Sequence, residues 1–273
     1  MDAPFVDPSV LLQRAGLRAR KGLSQNFLTD SVLAAEIVEA LPATPPVLIE
    51  IGAGPGTMTR ALALRREQVV AVELDERLIA ILTRQVRDHE NVRVVHADAL
   101  TLDITAEVSA PYAVFGNIPY HVTGLLIPRL LALAPRPEWV CVLVQLEVAQ
   151  RLAAAPGDWS LATLGVRVSA NAELLLRVPA EAFDPRPKVD SALVLLRPGP
   201  MAAFAGEAFF RFARLVFQER RKKLPNAVAN AMGHDVAAGR DVVLTAGIDP
   251  MRRPQTLGLD EWEALYEAFR GRR

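Results

Sequence analysis

Cysteine, net charge and long apolar runs are all scarce in this chain of 273 residues. A single cysteine, Cys141, excludes a disulfide-stapled fold. Thirty-one Lys and Arg balance 31 Asp and Glu, for a formal net charge of +0. That balance argues against a uniformly basic nucleic-acid binder. No apolar run approaches the roughly 20 residues of a membrane span, so no membrane association is expected. The opening residues MDAPFVDPSV lack a basic start followed by an apolar core. No secretion signal is therefore expected, and a cytoplasmic protein is. His89, His96, His121 and His234 show no metal-ligand spacing, so no metal site is expected. Apolar residues, in contrast, make up 51% of the chain. That excludes disorder and predicts one large or two modest globular domains.

The zero sum conceals a pattern. Residues 11–24 carry Arg14, Arg18, Arg20 and Lys21 with no acid, a local +4. Residues 207–223 carry Arg211, Arg214, Arg220, Arg221, Lys222 and Lys223 against Glu207 and Glu219, again +4. Between them, residues 73–107 hold eight acids and four arginines, a local −4. Two basic clusters flanking an acidic middle suit an anionic polymer gripped at its edges. Arg18, Arg20, Lys21, Arg220, Arg221, Lys222 and Lys223 are the candidate phosphate contacts.

Short Val- and Ile-rich runs alternate with helical stretches. VLIEI (47–51), QVVAVE (68–73), VRVVHAD (92–98), YAVFGN (112–117) and WVCVLVQ (139–145) predict buried strands. Leu78, Ile79, Leu82 and Val86 recur at helical spacing within 75–88. Such alternation predicts an α/β fold with a mostly parallel sheet. Two further strands, 172–179 and 189–198, are separated by a segment too short for a helical crossover. The last of the seven strands is therefore expected to be antiparallel. After Pro198-Gly199-Pro200 only helices are predicted, over 203–217, 219–232, 235–246 and 260–270. A sheet domain over 1–198, with a basic arm at 1–30, and a small all-helical domain over 199–273 are expected. Phe209, Phe210 and Phe217 are expected to pack the helical domain, and Cys141 the sheet core.

The chemistry concentrates at strand ends. IEIGAGPGTMT (49–59) ends a strand in Gly52-Ala53-Gly54-Pro55-Gly56 and leads into a helix. Glycine permits the sharp turn and a close approach of ligand to backbone. The dinucleotide fingerprint fails, because Thr57 stands at its sixth position and Pro55 removes an amide donor. No Gly-Lys-Ser/Thr follows, so a Walker loop is excluded. The second strand ends in Glu73-Leu74-Asp75, placing an acid about 20 residues past the glycines, where a ribose diol is held. The third leads to Asp98-Ala99, where an Asp can accept from an adenine amine. Together these residues suit a nucleoside ligand without phosphates, S-adenosylmethionine. The fourth strand ends in Asn117-Ile118-Pro119-Tyr120. Pro119 fixes its own φ and restricts Ile118 to extended geometry. The Asn117 side-chain oxygen and Ile118 carbonyl can then converge on one amine, and Tyr120 offers a ring face to a base.

The motifs quoted above, with RARKGLSQNFLTD (18–30), GNIPYHVT (116–123), FDPRPKVDSALV (183–194), FQERRKKLPNAV (217–228) and the tail 247–265, carry a resemblance over nearly the whole chain. The sequence resembles the ribosomal RNA adenine N6,N6-dimethyltransferases, most closely their small-subunit branch. The resemblance implies a Rossmann-like class I methyltransferase fold and S-adenosylmethionine as cofactor. It implies donor contacts at Gln25, Asn26, Leu28, Gly52, Gly54, Glu73, Leu74, Asp98, Ala99 and Asn117. It implies a catalytic set of Asn117, Ile118, Pro119, Tyr120 and Phe183, with the Phe183 ring stacking on the target adenine. The implied partner is 16S rRNA within the small ribosomal subunit, and the implied state is a monomer. Leu146, Ser160 and Ser24 depart from the family pattern. Two alternatives stay open: a large-subunit methyltransferase of the antibiotic-resistance type, and a non-catalytic assembly protein on the same fold.

Overall fold

The computed structural model describes residues 5–23, 25–108, 111–118 and 122–272. Among these, the strands are β1 (Phe27–Leu28), β2 (Val47–Ile51), β3 (Gln68–Glu73), β4 (Val92–His96) and β5 (Tyr112–Asn117), followed by β6 (Val140–Gln145), β7 (Ala170–Val178), β8 (Phe183–Asp184) and β9 (Ser191–Pro198). Seven of them form one sheet in the order β4-β3-β2-β5-β6-β9-β7. The five strands from β4 to β6 run parallel, and β9 lies antiparallel to β6. This is the Rossmann-like methyltransferase architecture expected from the sequence.

β2 sits between β3 and β5, so the strand order reverses direction there. In open α/β sheets such a switch point opens a crevice at the carboxyl ends of the strands. Leu48, Ile49, Glu50 and Ile51 are consecutive and all buried, so neither face of β2 meets solvent. The helix Ser31–Ala40 starts where Asp30 accepts from the amides of Val32 at 2.9 Å and Leu33 at 3.1 Å. Asp75 caps the helix Glu76–Val86 in the same way. Cys141 is fully buried among the sheet-core residues, and burial pushes its thiol well up.

Two compact units emerge: Met1–Ala149 with Glu173–Pro198, and Gln150–Ala172 with Gly199–Arg273. The segment 150–172, expected in the sheet domain, thus groups with the helices. Trp159, Leu164 and Val168 belong to one cluster with Phe204, Phe209 and Phe212. The Gly199 amide also donates to the Ser169 carbonyl at 2.7 Å. Ser160 and Thr163 form a reciprocal capping box at the start of Leu161–Arg167. In the same unit Phe209 meets Tyr266 edge-on at 5.3 Å, and Phe217 stacks on Trp262 at 5.0 Å. Phe209, Phe210 and Phe217 therefore pack the helical core as expected.

The basic run 220–223 differs from expectation in one respect. It lies in the turn between Glu207–Gln218 and Leu224–Met232, not within a helix. Pro225 explains this, because a proline is tolerated in the first turn of a helix but disfavours α geometry in the residue before it.

Candidate active site

A cavity of about 130 Å³ opens at the switch point of the first unit. Four strand ends contribute to its wall: Gly52 and Gly54 after β2, Glu73 and Leu74 at β3, Ala97 to Leu100 after β4, and Asn117 and Ile118 at β5. Leu23, Gln25, Asn26 and Phe27 of the N-terminal arm form the remaining side. Gly52 and Gly54 have φ of +74° and +59°. A Cβ at 52 would lie 3.2 Å from the Asn117 carbonyl oxygen, and one at 54 would lie 3.1 Å from the Phe27 ring. Both positions therefore require glycine, through conformation and through space.

Glu73 is 7% exposed, yet each carboxylate oxygen has a backbone donor. Oε2 accepts from the Gly54 amide at 2.7 Å and Oε1 from the Asp75 amide at 2.8 Å. Burial raises this carboxyl above its usual range, and the amides oppose the rise. The glutamate thus ties the glycine turn to the end of β3. Asp75 does similar work for the arm. Its carboxylate accepts from Arg77 Nε at 2.9 Å and from Gln25 Nε2 at 3.0 Å. Arg20 approaches it at 3.8 Å. The Arg77 guanidinium beside Asp75 holds its carboxyl down at about 2. Gln25 completes the tie, because its Oε1 accepts from the Arg20 amide at 2.8 Å.

Asp98 shapes the far end of the cavity, where Oδ1 accepts from the Leu100 amide at 2.8 Å. Arg129 braces the same loop, donating to the carbonyls of Ala99 at 3.2 Å and Leu102 at 2.5 Å. Nothing in the sequence singled out Arg129, whose role comes from tertiary placement. The lining holds two carboxylates and, among the described residues, no Lys or Arg. A phosphate-bearing ligand would find no counter-charge there, whereas a cationic nucleoside would.

Asn117 decides the chemistry. Its Nδ2 donates to the Asn26 main-chain carbonyl at 3.2 Å. That bond turns the amide so that Oδ1 is left as an acceptor. The sequence matches the family described as ribosomal RNA adenine dimethylase over residues 16–262. The chain belongs to the ribosomal RNA adenine dimethylase family. A relative in Dehalococcoides mccartyi, named ribosomal RNA small subunit methyltransferase A, is 39% identical over 91% of this chain and 88% of its own length. A relative of the same name in Geobacillus thermodenitrificans is 38% identical over 95% of this chain and 94% of its own. The crystal structure of the 23S rRNA methyltransferase ErmE superposes with a TM-score of 0.70 at 29% identity, covering 89% of this chain and 98% of that one.

This dimethylase gathers most of the expected site residues. Gln25, Asn26, Gly52, Gly54, Glu73, Leu74, Asp98, Ala99, Asn117 and Ile118 all line the cavity. Pro119 and Tyr120 lie outside the described residues, as does Ser24. Leu28 is 4% exposed and does not line this cavity; it forms part of a smaller one beside it. Phe183 departs from expectation more sharply. Its ring is 4% exposed and belongs to the sheet core, so it offers no face to a base. The cause is the β1–β8 ladder, whose antiparallel register sets Phe183 opposite Leu28. Leu23, Phe27, Val122 and Leu126 complete the lining and were not anticipated. Phe27 stands inside the Gln-Asn-Phe-Leu motif, which was a usable signal; the others are ordinary apolar residues.

The candidate phosphate contacts are exposed. Arg18 and Arg20 lie on the first unit, and Arg220, Arg221, Lys222 and Lys223 on the second. Arg20 is shared with Asp75, and Lys222 pairs with Glu219 at 3.1 Å.

Proposed function

We propose that the protein uses S-adenosylmethionine to dimethylate N6 of two adjacent adenosines near the 3′ end of small-subunit rRNA. The oriented Asn117 amide at the cavity wall carries this reading. S-adenosylmethionine suits the residues present: a cradle without side chains at Gly52 and Gly54, two strand-end carboxylates, and no lining cation. Glu73 would hold the ribose hydroxyls with its remaining lone pairs, and Asp98 the adenine amine. When bound, the donor supplies a methyl group already activated by its sulfonium.

The protein's task is then to position the acceptor. An adenine N6 amine is a poor nucleophile, because its lone pair is delocalised into the ring. Asn117 Oδ1 and the Ile118 carbonyl would accept its two N–H groups and favour a more tetrahedral nitrogen. Tyr120 would supply a stacking face for the unpaired base, worth roughly 1–3 kcal/mol. No strong general base is required. Exposed Arg18, Arg20 and the turn 220–223 would meet phosphates.

Glu73→Gln tests the donor site. A hydrogen bond to a charged group is worth about 1.5–3 kcal/mol, so donor affinity should fall roughly tenfold to a hundredfold in calorimetry. An unchanged dissociation constant would remove Glu73 from the ribose. The resemblance to a 23S enzyme favours a second reading, large-subunit methylation. Transfer of labelled methyl groups to isolated small and large subunits lacking the modification, with nucleotide mapping, separates the two. Label confined to the small subunit is expected; label in the large subunit alone would overturn the assignment.

A further inference from the structure

Glu50 takes no part in the chemistry above, yet it is the most unusual ionisable group in the chain. It sits in the middle of β2, in register with Ala71 of β3 and Phe115 of β5, and is 2% exposed. Among the described residues its Oε2 has no hydrogen-bond partner, and neither does the buried hydroxyl of Thr59. An isolated carboxylate is costly to bury, so such a group stays protonated until a cation reaches it. A second cavity, of about 30 Å³, lies against Glu50 and has room for a water molecule. Gly52, Gly54 and Asn117 line this cavity and the donor cavity alike.

The surroundings supply no cation. Glu73 of β3 adds a like charge, and Thr59 of the helix Thr57–Ala63 offers only a hydroxyl. Asn117 of β5 is neutral, and Pro8 and Leu28 from the N-terminal segment are apolar. Burial pushes the Glu50 carboxyl up to about 8; the Thr59 hydroxyl tempers the rise, and Glu73 adds to it.

We propose that Glu50 is the counter-charge for the cationic methionine end of the methyl donor, so that donor binding releases a proton from this carboxyl. The proposal rests on S-adenosylmethionine being the donor. Below pH 8 the free protein holds the proton, and a nearby cation favours its loss. Donor affinity should therefore rise with pH up to about 8 and level off above it. The donor's own amino group titrates equally against wild type and variant, so their difference isolates Glu50.

Calorimetry of S-adenosylmethionine binding at pH 6 to 9 tests this, in buffers of different ionisation enthalpy. Wild type should release close to one proton at pH 7. Its affinity relative to Glu50→Gln should rise about tenfold between pH 6 and pH 7. Parallel pH profiles for the two proteins would overturn the proposal. Should Glu50→Gln fail to fold, the absence of net proton release by wild type at pH 7 would overturn it equally. Failure of wild type to bind the donor at any pH would instead strike the cofactor reading itself.

Discussion

Asn117→Ala is expected to lower the single-turnover rate of methyl transfer about a thousandfold or more, some 4 kcal/mol of barrier, with RNA affinity nearly unchanged. The size of the effect follows from what the side chain does. Asn117 Oδ1 is fixed as an acceptor because Nδ2 is engaged by the Asn26 carbonyl. Alanine removes the acceptor and leaves that carbonyl without its donor. Positioning of this kind can supply several kcal/mol, and it acts on the reacting nitrogen alone. The exposed cations that would meet phosphates are untouched, so binding and chemistry should separate cleanly. Asn117→Asp refines the test: the carboxylate keeps an acceptor but cannot donate to Asn26, and activity should again be lost. Near-wild-type dimethylation by the alanine variant would sink the proposed mechanism.

The second large effect is on stability. Phe183→Ala should cost about 3–5 kcal/mol of unfolding free energy, read from the denaturant midpoint. The ring is 4% exposed within the sheet core, and β8 holds it opposite Leu28 of β1. Its loss would loosen the ladder that anchors the arm beside the donor cavity. Phe183→Leu, close in volume, should cost less than about 1.5 kcal/mol and keep most of the activity. A residue whose only task was to stack on the target base would give the opposite result: unchanged stability, with transfer slowed by both substitutions.

Much of this was legible in the sequence, for definite reasons. β2, β3 and β5 show as apolar runs because they are buried, and their ends carry the chemistry because the switch point gathers them. Gly52, Glu73, Asp98 and Asn117 were therefore readable together. Three features were not. The two-residue strands β1 and β8 are too short to show alternation, so Phe183 beside prolines resembled an exposed ring. Trp159, Leu164 and Val168 are apolar in either unit, and periodicity does not say which core they join. Glu50 looked like an ordinary strand carboxylate, because the sequence does not reveal that β2 is covered on both faces.

The contact that orients Asn117 has a genetic consequence. Its acceptor is the main-chain carbonyl of Asn26, not a side chain. No substitution at position 26 deletes that oxygen, so an alanine scan of the arm would report the site as tolerant while the orienting bond persisted. Only a change in chain length or path would break it. Single-residue insertions and deletions between 24 and 28 should therefore inactivate the enzyme where point substitutions do not. A screen built on substitutions alone would miss one of the arm's main contributions to catalysis.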